Sequence, residues 1–212
     1  MTNNLIISQD ILFIFNILGS IAFMISGALA GIKKHMDIGG IISLSIITGI
    51  GGGTMRDMML QEPIFWINQN WYLYLAIVIG FSLFIFYKNI QPHLEYGFFN
   101  YWLNFFDALG LVPFMITGVT IAQSYNHTEL VCILFGLITC IGGGVLRDTL
   151  CNEIPIVFRD QLYATPVILG AIIYLSLAPI DRLLAITISG SFISGIRIIT
   201  VIYRLKLPSI SV

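Results

Sequence analysis

The chain has 212 residues, 57% of them hydrophobic and only 10% charged, with a net charge of −1. An ordinary soluble domain is about 25% charged, and one core of this size cannot hide so much apolar side chain, so lipid is the natural solvent. A charge this close to neutral provides no basic field for nucleic acid.

A membrane helix needs about 20 mainly apolar residues, and on that basis seven spans are predicted. In chain order they run from about Ile11 to Ile32, Ile38 to Leu60, Trp71 to Tyr87, Trp102 to Ala122, Leu130 to Leu150, Tyr163 to Ala178 and Arg182 to Tyr203. The opening MTNNLIISQD lacks the positive region of a cleaved signal peptide, so the first span is expected to be retained. Polar or turn-forming stretches separate the spans, among them KKHMD, QSYNHTE and APID. Trp66, Trp71 and Trp102 fall near span ends, where an interfacial aromatic belt belongs. Outside the spans the basic residues are Lys33, Lys34, Lys88, Arg159, Arg182, Arg204 and Lys206. With the N-terminus outside and the C-terminus cytoplasmic, all but Arg182 face the cytoplasm, as the positive-inside rule requires.

Residues 51–57 read GGGTMRD and residues 142–148 read GGGVLRD, an offset of 91. The same shift carries Asn16 onto Asp107, Gly19 onto Gly110, Ser26 onto Thr117, Gly27 onto Gly118 and Thr48 onto Thr139. It also carries Glu62 onto Glu153 and Tyr72 onto Tyr163. The expectation is therefore one transmembrane domain, residues 1–212, made of two repeats, about 12–88 and 103–179, plus a seventh helix over about 182–203. Each repeat holds three spans, so the second must enter the membrane inverted, a recurrent transport architecture.

Three consecutive glycines cost roughly 1 kcal/mol each in helix propensity relative to alanine. Gly51, Gly52, Gly53, Gly142, Gly143 and Gly144 are candidates for a kink or unwound turn that shapes a path, or for close helix packing. An unwound turn would free carbonyls towards a surrounding cavity, with no ligand set assigned. Thr48 and Thr139, one turn earlier, and Ser26 and Thr117 are candidate polar groups along such a path. Arg56, Asp57, Asp107, Arg147 and Asp148 are intramembrane charges, and such groups are functional or hold helices together. Asp107 is expected to pair with Arg147. The matching contact of Arg56 with Asn16 is weaker, leaving Arg56 to rely on Asp57 or Glu62. Arg197 is expected to snorkel to the cytoplasmic surface. The small residues of the last span, from Ser189 to Gly195, are expected to pack against the repeats or a neighbouring subunit.

Nothing in the pattern points to an enzyme. His35, His93 and His127 fall in three different loops without metal-ligand spacing. Asp57 and Asp148 are placed on opposite sides of the midplane, where they cannot act as paired carboxylates. Cys132, Cys140 and Cys151 read as small apolar residues rather than a disulfide framework. A channel and a carrier both remain, since inverted repeats suit either.

The doubled GGGxxRD, with Glu153-Ile-Pro155 and Tyr163-Ala-Thr165, resembles the prokaryotic branch of the trimeric intracellular cation channel (TRIC) family over about residues 10–205. That resemblance implies an all-α integral membrane protein with seven transmembrane helices, two inverted three-helix repeats plus a seventh. It further implies a homotrimer in the cell inner membrane, with a potassium-permeable pore in each subunit shaped by glycine-kinked second and fifth helices. No cofactor is implied; the permeant ligand is the potassium ion, and the partners are the lipid bilayer and monovalent cations. Bacterial members are also labelled glycine transporters, so a secondary transporter of a small solute is the alternative.

Overall fold

The computed structural model describes residues 2–90, 96–158 and 162–203, and the side chains of 10–87, 99–158 and 162–200. Lys88, Arg159, Arg204 and Lys206, which carry much of the expected orientation, lie outside the described side chains.

The described residues form helices and turns and no strand: α1 (Thr2–Lys33), α2 (Ile38–Met59), a one-turn α3 (Phe65–Asn68), α4 (Trp71–Ile90), α5 (Tyr96–Ser124), α6 (Glu129–Leu150), α7 (Ala164–Leu177) and α8 (Arg182–Tyr203). Five of these hold a stretch long and apolar enough to cross a membrane: Asp10–Lys33, Ile38–Met59, Phe99–Ser124, Glu129–Leu150 and Arg182–Thr200. Trp71–Tyr87 and Ala164–Leu177 are shorter apolar helices. Two boundaries differ from the sequence expectation, because α1 and α5 begin several residues earlier, at Thr2 and Tyr96.

Helix starts and stops follow local chemistry. Asp37 caps α2, its Oδ1 accepting from Gly40 N at 2.7 Å, which satisfies one of the four orphan donors of the first turn. At the other end Leu60 N donates to Arg56 O (3.0 Å) and Glu62 N to Asp57 O (2.8 Å), with Gln61 at φ 58°. The same closure ends α6: Cys151 N donates to Arg147 O (3.0 Å) and Glu153 N to Asp148 O (2.9 Å), with Asn152 at φ 54°. His35 and Asn126, just beyond α1 and α5, form another left-handed pair at φ 56° and 57°. Each turn thus recurs 91 residues later, in a conformation that usually selects glycine or asparagine.

α1 packs on α2 and α5, α2 on α6, and α5 on α6, while α8 lies against α7 and α5. The rings of Phe23 (α1) and Phe114 (α5) stack with centroids 5.3 Å apart. A Cβ at Gly19 would meet the Phe114 ring at 2.9 Å, and one at Gly110 would meet the Phe23 ring at 2.9 Å. Two glycines therefore seat the two aromatic rings in mirrored fashion. Phe23, Phe114, Met115 and Ile116 are at most 1% exposed, so this stack anchors the apolar centre.

Candidate functional site

α2 and α6 cross at their glycine triplets. A Cβ at Gly52 would fall far inside van der Waals contact with Thr139 O on α6. A Cβ at Gly143 would do the same to Thr48 O on α2. Any side chain at either position would force the helices apart, so backbone stands against backbone here. Gly51 faces the Leu146 side chain and Gly142 the Met55 sulfur and Gly52. Gly53 faces the Phe65 ring, and Gly144 faces Asp107, Arg147 and Tyr163.

The expectation of an unwound turn needs correction. Both helices run uninterrupted through their triplets, and no described glycine has positive φ. Carbonyls are therefore not freed by unwinding at these positions. Close approach of the facing backbone accounts for the need for glycine, and helical hydrogen bonds can continue alongside it.

Thr48 and Thr139 are fully buried one turn earlier. Each hydroxyl donates to the carbonyl four residues back, Leu44 O and Phe135 O, both at 2.6 Å. Each oxygen also abuts a glycine of the preceding helix, Gly27 for Thr48 and Gly118 for Thr139. Their donor capacity is thus used within their own helices, leaving the oxygen lone pairs as acceptors. Thr117 donates to Phe114 O at 3.1 Å.

The charged tails of the two motifs are built alike and finished differently. Arg147, 0% exposed, donates from Nε to Asp148 Oδ1 (2.8 Å) and from Nη1 to Asp107 Oδ1 (2.7 Å). Nη1 also donates to the Ser26 hydroxyl. The Tyr163 hydroxyl donates to Asp107 Oδ2, and Asp148 Oδ2 accepts from Ile156 N at 2.9 Å. One guanidinium therefore ties together α6, α5 and α1. Two carboxylates and their own donors offset its desolvation, the condition under which buried charge is tolerable.

In the first motif Arg56 contacts Asp57 Oδ1 from both Nε and Nη2, each at 2.7 Å. Asp57 Oδ2 accepts from Phe65 N at 3.0 Å, the counterpart of the Ile156 contact. The expected link to Asn16 is not made: Asn16 Oδ1, Ser20 Oγ and Arg56 Nη1 are buried without a hydrogen-bond partner. An amide lacks the charge that draws Asp107 to Arg147.

Arg197 also departs from expectation. It is 1% exposed, with its guanidinium 4.5 Å from the Tyr163 ring centroid. Nη1 reaches Leu162 O at 3.4 Å, and the aromatic face takes part of the place of solvent, while Nε and Nη2 are buried without a hydrogen-bond partner among the described residues. Along α8, Ser189 is buried, Gly190 meets Val112 of α5, and Ser191 and Ser194 are exposed.

A cavity of about 290 Å³ opens beside the Arg147 network, lined by Lys33, Lys34, Asn104, Asp148, Cys151 and Glu153 among others. Glu153 Oε1 receives both ammonium groups, Lys33 Nζ at 3.2 Å and Lys34 Nζ at 2.9 Å. Asp148, the partner of the buried Arg147, forms part of its wall. Among the described residues no group of three or more His, Cys, Asp or Glu side chains gathers to hold a metal.

Apolar spans, charged side chains held inside the bundle and interlocked glycine triplets define a multi-pass helical membrane protein. The family model described as "Glycine transporter" matches the chain twice, over residues 13–88 and 104–179, and the chain belongs to that family. It is 36% identical over 160 residues to the UPF0126 inner membrane protein YadS of Escherichia coli (strain K12), covering 75% of each chain. Among solved structures it is similar to a prokaryotic TRIC channel crystallised in 0.5 M KCl, with TM-score 0.85 and 33% identity over 94% of this chain and 100% of the other. The TRIC trimeric intracellular cation channel orthologue from Rhodobacter sphaeroides matches with TM-score 0.82 and 29% identity over 92% and 98%.

Proposed function

We propose that this protein is a cation channel of the inner membrane, conducting monovalent cations and potassium foremost. The observation that carries the reading is the likeness, over nearly the full length of both chains, to a prokaryotic TRIC channel. The further architecture belongs to the same proposal. Seven spans form two inverted three-helix repeats closed by α8, with the N-terminus outside and the C-terminus cytoplasmic. Three subunits assemble, each with its own path, and the potassium ion is the only ligand required.

Within one subunit the path has a vestibule and a waist. The Lys33–Glu153 cavity is the cytoplasmic vestibule, since α1 ends there on two lysines. The α2–α6 crossing is the waist, where Thr48 and Thr139 oxygens, with Ser26 and Thr117 near them, are the candidate contacts for a partly dehydrated cation. Uncharged oxygens suit that role, because an ion must be bound weakly enough to leave. Transport requires no catalytic group, and none is assigned.

The family description favours a second reading, a secondary carrier of a small solute such as glycine. Recording from purified protein in a planar bilayer under a potassium gradient separates the two. Unitary currents reversing near the potassium potential support the channel. Silence in the bilayer together with saturable glycine uptake into liposomes replaces it with the carrier.

A further inference from the structure

The shift of 91 residues that carries Arg56 onto Arg147 also carries Asn16 onto Asp107. In the second half the bond runs from Arg147 Nη1 to Asp107 Oδ1. In the first half the two corresponding atoms, Arg56 Nη1 and Asn16 Oδ1, are the ones left without partners. Ser20, one turn further along α1, adds a third unpartnered oxygen and is 0% exposed. The Arg-Asp contact, the Asp-to-backbone contact and the helix-end turn recur in both sites, whereas the Ser26 and Tyr163 hydroxyl contacts are made in the second alone.

This difference changes what each arginine can do. Arg147 is bound to carboxylates on α5 and α6 and to a hydroxyl on α1, so displacing it breaks charge-assisted bonds between helices and strands a buried Asp107. Among the described residues Arg56 is bound only to the neighbouring Asp57 of its own helix, with the Phe65 ring 6.0 Å away. It can move with Asp57 as a neutral unit and break no inter-helix ion pair. Its unused donor and the unused oxygens of Asn16 and Ser20 are buried polar groups whose desolvation no described protein contact offsets, so this half of the molecule is poised to rearrange.

We propose that Arg56 is the movable gate charge of the molecule and that Asn16 is the positioning residue that leaves it unlocked, while Arg147 is a fixed latch. The proposal rests on the conduction reading. Restoring the missing carboxylate is the direct test. Asn16→Asp should lock Arg56 as Asp107 locks Arg147, lowering open probability about tenfold, within the usual range of a coupling between two sites. Unitary conductance should stay unchanged. The same variant should melt at a higher temperature in detergent, and Arg56→Gln in the same chain should abolish both effects.

Higher melting with wild-type open probability overturns the gate, since the pair then forms without consequence. No change in either readout overturns it too, by showing that Asn16 does not reach Arg56. Should Asn16→Asp not assemble, Ser20→Asp places the carboxylate at the other unpartnered oxygen on the same face of α1. It is expected to close the channel likewise, and wild-type gating there counts against the proposal. Absence of cation current from the wild type sinks the conduction reading together with the gate, whereas a flat response of the variants alone sinks only the gate.

Discussion

Gly52 and Gly143 hold each other's helices in reciprocal contact: each leaves room for a carbonyl of the other helix, Thr139 O for Gly52 and Thr48 O for Gly143. Backbone cannot step aside as a side chain can. Gly52→Ala and Gly143→Ala are therefore each expected to cost about 1–3 kcal/mol through overpacking, despite alanine's better helix propensity. Gly51→Ala meets the end of Leu146, a flexible side chain, at 2.7 Å and the Gly143 Cα only at ordinary contact, 3.6 Å, and should cost less. Melting of the three variants in detergent checks the order; equal losses would show that the crossing is not the tight point.

Asp107 is the only inter-helix carboxylate on Arg147 among the described contacts. Asp107→Asn leaves the guanidinium with Asp148 alone and should destabilise the protein by about 3 kcal/mol, the lower end for breaking a buried pair. Tyr163→Phe removes the donor to Asp107 Oδ2 and should cost about 1–3 kcal/mol. Because the two share one network, the double variant should lose less than the sum of the singles. Strict additivity in a melting cycle would refute the network.

At the vestibule, Lys33, Lys34 and Glu153 have side chains 20%, 34% and 23% exposed. Pairs this accessible contribute below about 1 kcal/mol, so Glu153→Gln should leave melting nearly unchanged. Its effect belongs to conduction. Two ammonium groups without their shared carboxylate repel an entering cation, so potassium current should fall, most strongly at low ionic strength. A current unaffected at low salt would remove this cavity from the path.

Cys151 closes the end of α6 on the cavity wall, and burial pushes its thiol up from the ordinary value. Only the thiolate reacts readily, so alkylation at neutral pH should run slower than for a free thiol. The rate should keep rising as pH passes above the ordinary thiol range. Reaction at the free-thiol rate near neutrality would contradict the buried placement.

Much of this structure is legible in the residues because the two stretches that match one family model share their punctuation. The start of α2 at Ile38 and both ends of α8 follow from apolar run length, and the similar depth of Asp107 and Arg147 in their spans foretells their pairing. Three features were not visible. Asp57 and Asp148 each accept a backbone N–H eight residues on, a contact that depends on how the chain turns after the helix. Pro63, two residues before Phe65, and Pro155, immediately before Ile156, are the available signal. Tyr163 as partner of Asp107 needed the third dimension, although its match with Tyr72 marked it. The glycines were ambiguous because weak helix propensity and close packing select the same residue; only the facing carbonyls separate the two.

The reciprocal crossing also bears on how two similar halves of one chain can differ. Where one pattern is present as two copies, each is ordinarily free to vary, each substitution judged in its own surroundings. At Gly52 and Gly143 the surroundings of one copy are the backbone of the other, and backbone offers no mutation that makes room. Neither position can be released by a change at its counterpart, so both must stay glycine for as long as the helices cross there. Asn16 and Asp107 carry no such mutual constraint, and it is there that the halves have become different.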